Sequence, residues 1–169
     1  MLKCDILPLA GGDKTLFALS RRINKTPTFE IDSPKILITP DASGIETLLK
    51  NSGADYTVIT KGYITFRGYV FNSDFPLMIG IHFNDLQVKF IEIFRPDEYY
   101  QSEKFNISAS FNELSALLKK KYGNPRVTTS KSINDYPCEQ WMTSDYFINH
   151  NIADHFGPAE YLHINFYKN

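Results

Sequence analysis

A helical pattern of apolar residues is clearest between positions 110 and 122. Phe111, Leu114 and Leu118 recur at three- and four-residue intervals, which places them on one face of a helix. Lysines cluster in the last turn, where the helix dipole favours cations, and Gly123 suits the left-handed conformation that ends many helices. The pattern predicts a helix over 110–122.

The start of this helix has a counterpart earlier in the chain. Ser110 and Glu113 are spaced as a capping box, and Ser43 and Glu46 have the same spacing. Two leucines and a lysine follow each box, and a glycine ends each segment. We therefore predict a second helix over 43–52, with the two serine hydroxyls as N-caps.

Alternation of apolar and polar residues indicates strands after each helix. Leu77, Ile79 and Ile81 alternate with Met, Gly and His, the pattern of a sheet with one buried face. Four strands are predicted after each helix, at 55–60, 63–71, 77–83 and 87–94, and at 126–131, 138–142, 145–150 and 159–167.

These elements predict an α+β fold of two tandem units, each a helix plus a four-stranded antiparallel sheet. The first unit covers 41–105 and the second covers 106–169. Residues 1–40 form an N-terminal extension with a candidate helix at 14–24 and two short strands, which we expect to pack on the first unit in one globule. The alternative is an α+β chain in which two capped helices occur without a repeat.

Charge and composition exclude several classes of protein. The 169 residues include 18 Lys and Arg against 19 Asp and Glu, a net charge of −1, so no overall positive field can hold a nucleic-acid backbone. The sequence has no apolar run of the length that spans a membrane and no signal-like start, which favours a cytoplasmic protein. Cys4 and Cys138 belong to no C-x-x-C pair, so we expect no disulfide framework or redox site.

The densest set of potential metal ligands is His150, Asp154, His155, Glu160 and His163. Imidazole and carboxylate groups can hold zinc, but the spacing differs from that of a metalloprotease helix. A Gly-Pro pair within the segment indicates a surface turn between two strands. We therefore expect no metal and no cofactor here, and no catalytic motif is present elsewhere.

Acidic and tyrosine residues coincide between the two predicted units. Asp97 and Glu98 precede Tyr99 and Tyr100 in a polar segment. Exposed tyrosines often anchor interfaces, and acidic groups steer the approach of a basic partner. We expect these four residues, together with Asp145 in the second unit, to bind a partner. Alternatively, the rings fold back onto the sheet edge and the charges only solvate the exterior.

Two helix-plus-four-strand units in a chain of this length resemble the beta-lactamase inhibitor protein architecture. In that architecture, two repeats form a concave sheet that clamps a target enzyme. The small size, the slight acidity and the aromatic, strand-rich composition also resemble immunity proteins of bacterial contact-dependent inhibition and polymorphic-toxin systems. This resemblance implies a non-enzymatic inhibitor that neutralises a cognate protein toxin, for example a basic nuclease domain.

Two other functions remain open at this point. The protein could be an envelope-assembly or peptide-binding component that uses a sheet edge. It could also be an enzyme of unrecognised type that uses the His150–His163 region. The missing export signal counts against the first, and the missing motifs count against the second.

Overall fold

The structure is a computed structural model that describes residues 26–102, 105–129, 136–154 and 158–167. The helix predicted at 14–24, Cys4 and His155 lie outside these residues. The elements, in chain order, are β1 (Phe29–Ile31), β2 (Ile36–Ile38), α1 (Ile45–Asn51), β3 (Tyr56–Thr60), β4 (Tyr63–Gly68), β5 (Leu77–Phe83), β6 (Val88–Phe94), α2 (Asp97–Tyr100), α3 (Ile107–Tyr122), β7 (Val127–Thr129), β8 (Cys138–Met142), β9 (Tyr146–Asp154) and β10 (Pro158–Phe166).

An eight-stranded antiparallel sheet dominates the fold. Its strand order is β3-β4-β5-β6-β10-β9-β8-β7, and β1 and β2 form a separate hairpin. Strands β3 to β6 pair in chain order, and so do β7 to β10. The two groups meet where β6 pairs with β10, with Glu92 opposite His163. The α+β class with an antiparallel sheet is therefore confirmed.

The core lies on the side of the sheet that faces the helices and the hairpin. Along the sheet, Phe66, Ile79, Ile93 and Leu162 occupy successive register positions, and all four are buried. Buried residues of α1, α3 and the hairpin join them in one hydrophobic cluster. We call this side of the sheet the core face. Its strand positions alternate with those of the opposite side, which we call the open face.

The β1–β2 hairpin contacts both halves of the sheet. The backbone of Asp32 donates to the carbonyl of Tyr69 at 2.8 Å in the first half. On the second half, the Phe29 ring meets the Tyr146 ring edge-on with centroids 5.5 Å apart. Burial of the Phe29 ring, which has no exposed surface, fixes the hairpin over the core.

Helix α1 forms where it was predicted, but its capping box does not. The N-cap is Gly44, in a left-handed conformation with φ 78°, and no side chain caps the helix. The Ser43 hydroxyl instead donates to the Asp41 carboxylate at 2.9 Å, and the Ser43 backbone N–H donates to the same carboxylate. Asp41 therefore draws Ser43 into a turn before the helix, and the predicted cap is wrong.

Helix α3 is confirmed but begins three residues before the predicted cap, at Ile107. Asn106 is the N-cap, and its side-chain oxygen accepts from the backbone N–H of Ala109 at 2.9 Å. Ser110 lies within the first turn and is fully buried. The predicted capping box is wrong because the Ser110 hydroxyl is used by the sheet below. At the other end, Gly123 takes the positive φ of 79° that the sequence predicted.

The predicted strands match closely, with one informative exception. The predictions at 77–83 and 138–142 coincide with β5 and β8. Strand β9 continues to Asp154, four residues beyond its predicted end, because Ile152 also packs on the core face.

Two further findings concern disulfide bonding and membrane-spanning helices. Cys138 is disulfide-bonded, so the expectation of no disulfide is wrong for this residue. Among the helices of the described residues, none combines the length and the apolar character needed to cross a membrane.

Candidate functional site

The open face carries an unusual set of side chains for a sheet face that no helix of the described residues covers. No helix of the described residues packs its buried side chains on it. From β4 to β8 across the sheet, the residues at its register positions are Tyr63, Thr65, Arg67, Met78, Gly80, His82, Phe90, Glu92, Phe94, Tyr161, His163, Asn165, Phe147, Asn149, Asn151, Cys138, Gln140 and Met142.

Formal charge is scarce on this surface. Of the open-face residues, Arg67 and Glu92 carry a full charge at neutral pH. Arg67 forms an ion pair with Glu98 of α2, at one end of the sheet. The uncompensated carboxylate of the face is therefore Glu92, near the middle of the sheet where β6 meets β10.

Stacked rings surround Glu92. The rings of Tyr63 and His82 stack with centroids 4.0 Å apart, and His82 stacks on Phe90 at 4.2 Å. His163 tilts against Phe90 at 5.0 Å. The Tyr63 hydroxyl donates to Glu92 Oε1, and His82 Nε2 lies 3.2 Å from the same oxygen. Two rings of this stack, Tyr63 and His82, thus contact the carboxylate directly.

Gly80 makes room for this arrangement. It lies on β5 directly opposite Glu92. A Cβ atom at position 80 would lie 2.6 Å from Cγ and Oε1 of Glu92 and 2.9 Å from the Tyr63 ring. A glycine weakens a strand interior, so its presence in the middle of β5 has a physical reason: the side chains of Glu92 and Tyr63 occupy the space above it.

A shallow hollow adjoins the cluster over the β6–β10 seam. Its volume is about 220 Å³. The open-face side chains that line it are Tyr63, Glu92, Phe94, Tyr161 and His163. Small-molecule sites span roughly 300–1,000 Å³, so this hollow fits a single side chain better than a cofactor.

The environment also sets the protonation of the rings. Burial raises the pKa of Tyr63, and the hydrogen bond to Glu92 adds to this shift. Burial lowers the pKa of His163, with a smaller opposing effect of Glu92. At neutral pH the hollow therefore contains a neutral Tyr63 and a neutral His163 beside Glu92.

Four of the predicted partner-binding residues lie together, as the short helix α2. Asp97 and Glu98 are exposed, and Tyr100 is 38% exposed. The Tyr99 ring instead covers the Arg95 guanidinium, 4.5 Å from the ring centroid. Hydrogen bonds from its own backbone N–H and from Arg67 lower the pKa of Glu98. Helix α2 thus presents two carboxylates and one tyrosine ring beside the open face.

The fifth predicted residue, Asp145, lies elsewhere. Arg95, just before α2, lies beside Glu160, which is near the start of β10. Asp145 precedes Tyr146, which pairs with Phe166 at the end of β10. The two acidic groups are therefore at opposite ends of a nine-residue strand, about 30 Å long at the usual rise. The structure does not bring them together.

The His150 region differs from the predicted surface turn. His150 is fully buried on the core face of β9, and the turn prediction is wrong for it because its ring stacks on Phe111 of α3 at 4.0 Å. Its Nε2 atom lies 2.8 Å from Glu160 Oε1. Asp154 is exposed at the end of β9, and His163 points to the open face. Within the described ranges, no group of three His, Cys, Asp or Glu residues could hold a metal ion.

Sequence reasoning missed the polar network under α3. The Ser110 hydroxyl accepts from Arg95 Nε at 3.0 Å and donates to Glu160 at 2.5 Å. Arg95, which is 3% exposed, also pairs with Glu113. Arg95 follows the strand predicted at 87–94 and Glu113 lies one helical turn after Ser110, but only the tertiary pairing of β6 with β10 shows that they meet.

Comparison with known proteins adds no relative: no protein-family model, curated protein or solved structure matches this chain. The resemblances given by element order and composition therefore stay predictions.

Proposed function

We propose that this chain is a non-enzymatic protein-binding module that neutralises a cognate bacterial toxin, with the open face as its main contact surface. One observation carries the proposal. A broad face of an eight-stranded sheet is left uncovered by the described helices, although it bears five aromatic rings of Phe and Tyr, at Tyr63, Phe90, Phe94, Tyr161 and Phe147.

The composition of this face supports a protein partner. Tyrosine, phenylalanine and methionine are enriched in the centres of protein interfaces, whereas lysine, aspartate and glutamate are depleted there. The open face follows this rule, because its polar positions are mostly Asn, Gln and His. A solvated sheet face usually carries polar side chains instead of aromatic ones.

The sheet topology supports two tandem units. We propose that 41–105 and 106–169 are helix-plus-four-strand units, with 1–40 as an extension. Each group of four strands pairs in chain order, and the last strand of one group pairs with the last strand of the other. Joining two units at β6 and β10 doubles the width of the open face, which suits a large protein surface rather than a small ligand.

We propose that the predicted acidic residues form part of the rim of this surface. Asp97 and Glu98 lie at one end of the sheet and Asp145 at the other. Interfaces commonly place apolar and aromatic groups in the centre and charges at the rim. Carboxylates at both ends would steer a basic partner, such as a toxin that binds nucleic acid through Lys and Arg. We propose that this interaction takes place in the cytoplasm. Disulfide bonds are rare in that compartment, so the disulfide bond of Cys138 counts against this location.

The test begins with the toxin encoded next to this gene. Surface-plasmon kinetics should show specific binding, and the protein should abolish the toxin's activity. Joint substitution Asp97→Lys and Glu98→Lys should slow association several-fold at low salt, because rim charges act mainly on encounter. Tyr100→Ala should speed dissociation, at a cost on the order of 1–2 kcal/mol if the ring is an anchor. The exposed α1 residue offers a matched control, Glu46→Lys, which should leave both rates unchanged.

Two outcomes would count against parts of this proposal. Wild-type rates in the α2 variants would remove α2 from the interface. Absence of a toxin gene, or of binding to its product, would overturn the immunity function itself.

The outer edge of β3 favours a second candidate, binding of a peptide by strand addition. In the described part of the chain, β3 pairs on one side only, with β4. Val58 and Ile59 are 49% and 51% exposed there. A free edge with apolar side chains can pair with an extended segment. Ile59→Lys should abolish binding of such a peptide and leave toxin binding through the open face intact.

A further inference from the structure

The hollow over the β6–β10 seam is the feature that the fold alone does not explain. A sheet with no function on its open face would gain strand stability from a larger residue than Gly80. Instead, β5 has no side chain at this position, and the space is used to hold Glu92 under the rings of Tyr63 and His82. The arrangement keeps a carboxylate at the centre of an apolar surface.

Glu92 retains capacity to bind. Its Oε1 atom accepts from Tyr63 and lies near His82, whereas no described residue donates a hydrogen bond to Oε2. An ionised carboxylate offers about four lone-pair sites. The side chain is 24% exposed, so the remaining sites can be reached from the hollow.

The walls of the hollow suit a cation. Tyr63, Phe94 and Tyr161 contribute aromatic rings, and a cation over such a ring is attracted by its quadrupole. Among the described residues that line the hollow there is no lysine or arginine. The lowered pKa of His163 keeps its ring neutral, so it does not repel a positive group. The positive charge of Arg67, on the same face, is neutralised by its ion pair with Glu98 of α2.

We propose that this hollow receives the guanidinium group of an arginine from the protein partner, with Glu92 as its charge partner. Arginine fits better than lysine because its planar fork can bind a carboxylate while it stacks on aromatic rings. The volume of about 220 Å³ accommodates one such side chain. The proposal rests on the proposed function and deepens it, since it names the chemistry that the partner must present at the centre of the open face.

The experiment uses N-acetyl-arginine amide as the probe, titrated into the isotope-labelled protein and followed by NMR. N-acetyl-citrulline amide is the matched neutral probe. The arginine compound should shift signals of Tyr63, Tyr161 and His163 in a saturable manner, at least ten-fold more tightly than the citrulline compound. Glu92→Gln should weaken this binding at least ten-fold, whereas Glu46→Gln, which changes an exposed carboxylate of α1, should leave it unchanged.

The amide spectra of all variants should show the folded protein, which controls for loss of the local structure. Equal binding of the two probes, no saturable shift, or undiminished binding by Glu92→Gln would overturn the proposal. Toxin binding measured on the same variants separates the two claims, because a toxin that binds Glu92→Gln as tightly as wild type would contradict only the arginine site.

Discussion

At the scale of single residues, buried polar side chains determine how α3 sits on the sheet. Glu160 accepts from Ser110 of α3 and contacts His150 of the neighbouring strand. Ser115, one turn further along the helix, bonds to Glu139 on β8. Buried polar groups are costly without partners, so these bonds fix one position of the helix rather than merely attaching it.

The first prediction compares two substitutions in α3. Asn106→Ala removes an exposed N-cap and should cost about 1 kcal/mol of unfolding free energy. Ser110→Ala removes the buried hydroxyl that bonds to both Arg95 and Glu160 and should cost more, roughly 1–3 kcal/mol. Urea denaturation of both variants checks the order. If Ser110→Ala costs less than Asn106→Ala, the buried network does not hold the helix as described.

The same residues show where sequence reasoning stops. The spacing of Ser110 and Glu113 fits a capping box, and only Asn106, four positions earlier, reveals the actual helix start. Both residues have side chains that could bond to the backbone nearby, yet Arg95, just after β6, binds both. A contact between residues on separate elements outweighs the local pattern, and the sequence shows no sign of it.

At the scale of elements, the tyrosine pair between α3 and β9 links the helix end to the sheet. The hydroxyls of Tyr122 and Tyr146 lie 3.1 Å apart. Burial raises the pKa of both phenols above the ordinary value of 10. Both rings also pack edge-on against phenylalanines of the core, Tyr122 against Phe71 and Tyr146 against Phe29.

The second prediction follows from the direction of these shifts. The folded state keeps the phenols protonated, so their contribution is complete below the unfolded pKa of about 10. Above that pH the unfolded chain loses its protons first, and the free energy of unfolding falls. Tyr122→Phe should make this fall shallower between about pH 9 and pH 11, as measured by denaturation across that range. Tyr69→Phe, which changes an exposed ring, is the control. Equally steep curves for the two variants would contradict the assignment.

Strand positions were predictable for a simple reason. Alternation in β5 and β10 follows directly from one buried and one open face, so Ile79 and Ile164 are recognisable as core positions. The end of β9 was missed because Asn151 and Asp154 are polar and suggest a loop, whereas the intervening Ile152 is buried. Polar residues on the open side of a long strand conceal it from a pattern that expects apolar ones.

At the scale of the whole molecule, the candidate site could not be located from the sequence. The acidic and tyrosine-rich segment stands out in the chain because its residues are contiguous. The open face is assembled from alternate positions of strands whose order in the sheet, with β6 beside β10, is not written in any one segment. Gly80 and Glu92 are twelve residues apart, and their relation depends on the register of β5 and β6.

The central claim is that the open face binds the toxin. Asn165→Arg tests it most directly, because Asn165 lies on this face opposite Phe147. An added positive charge within an interface with a basic partner should weaken affinity at least ten-fold, since like charges and a buried unpaired cation are both costly. Asn51→Arg, at the exposed end of α1, makes the same chemical change away from this face and should alter affinity less than two-fold.

The measurement is the dissociation constant of each variant for the toxin encoded beside this gene, with folding checked by circular dichroism and thermal melting. The account predicts a large loss for Asn165→Arg and almost none for Asn51→Arg. A folded Asn165→Arg variant that binds the toxin as tightly as the wild type would contradict it.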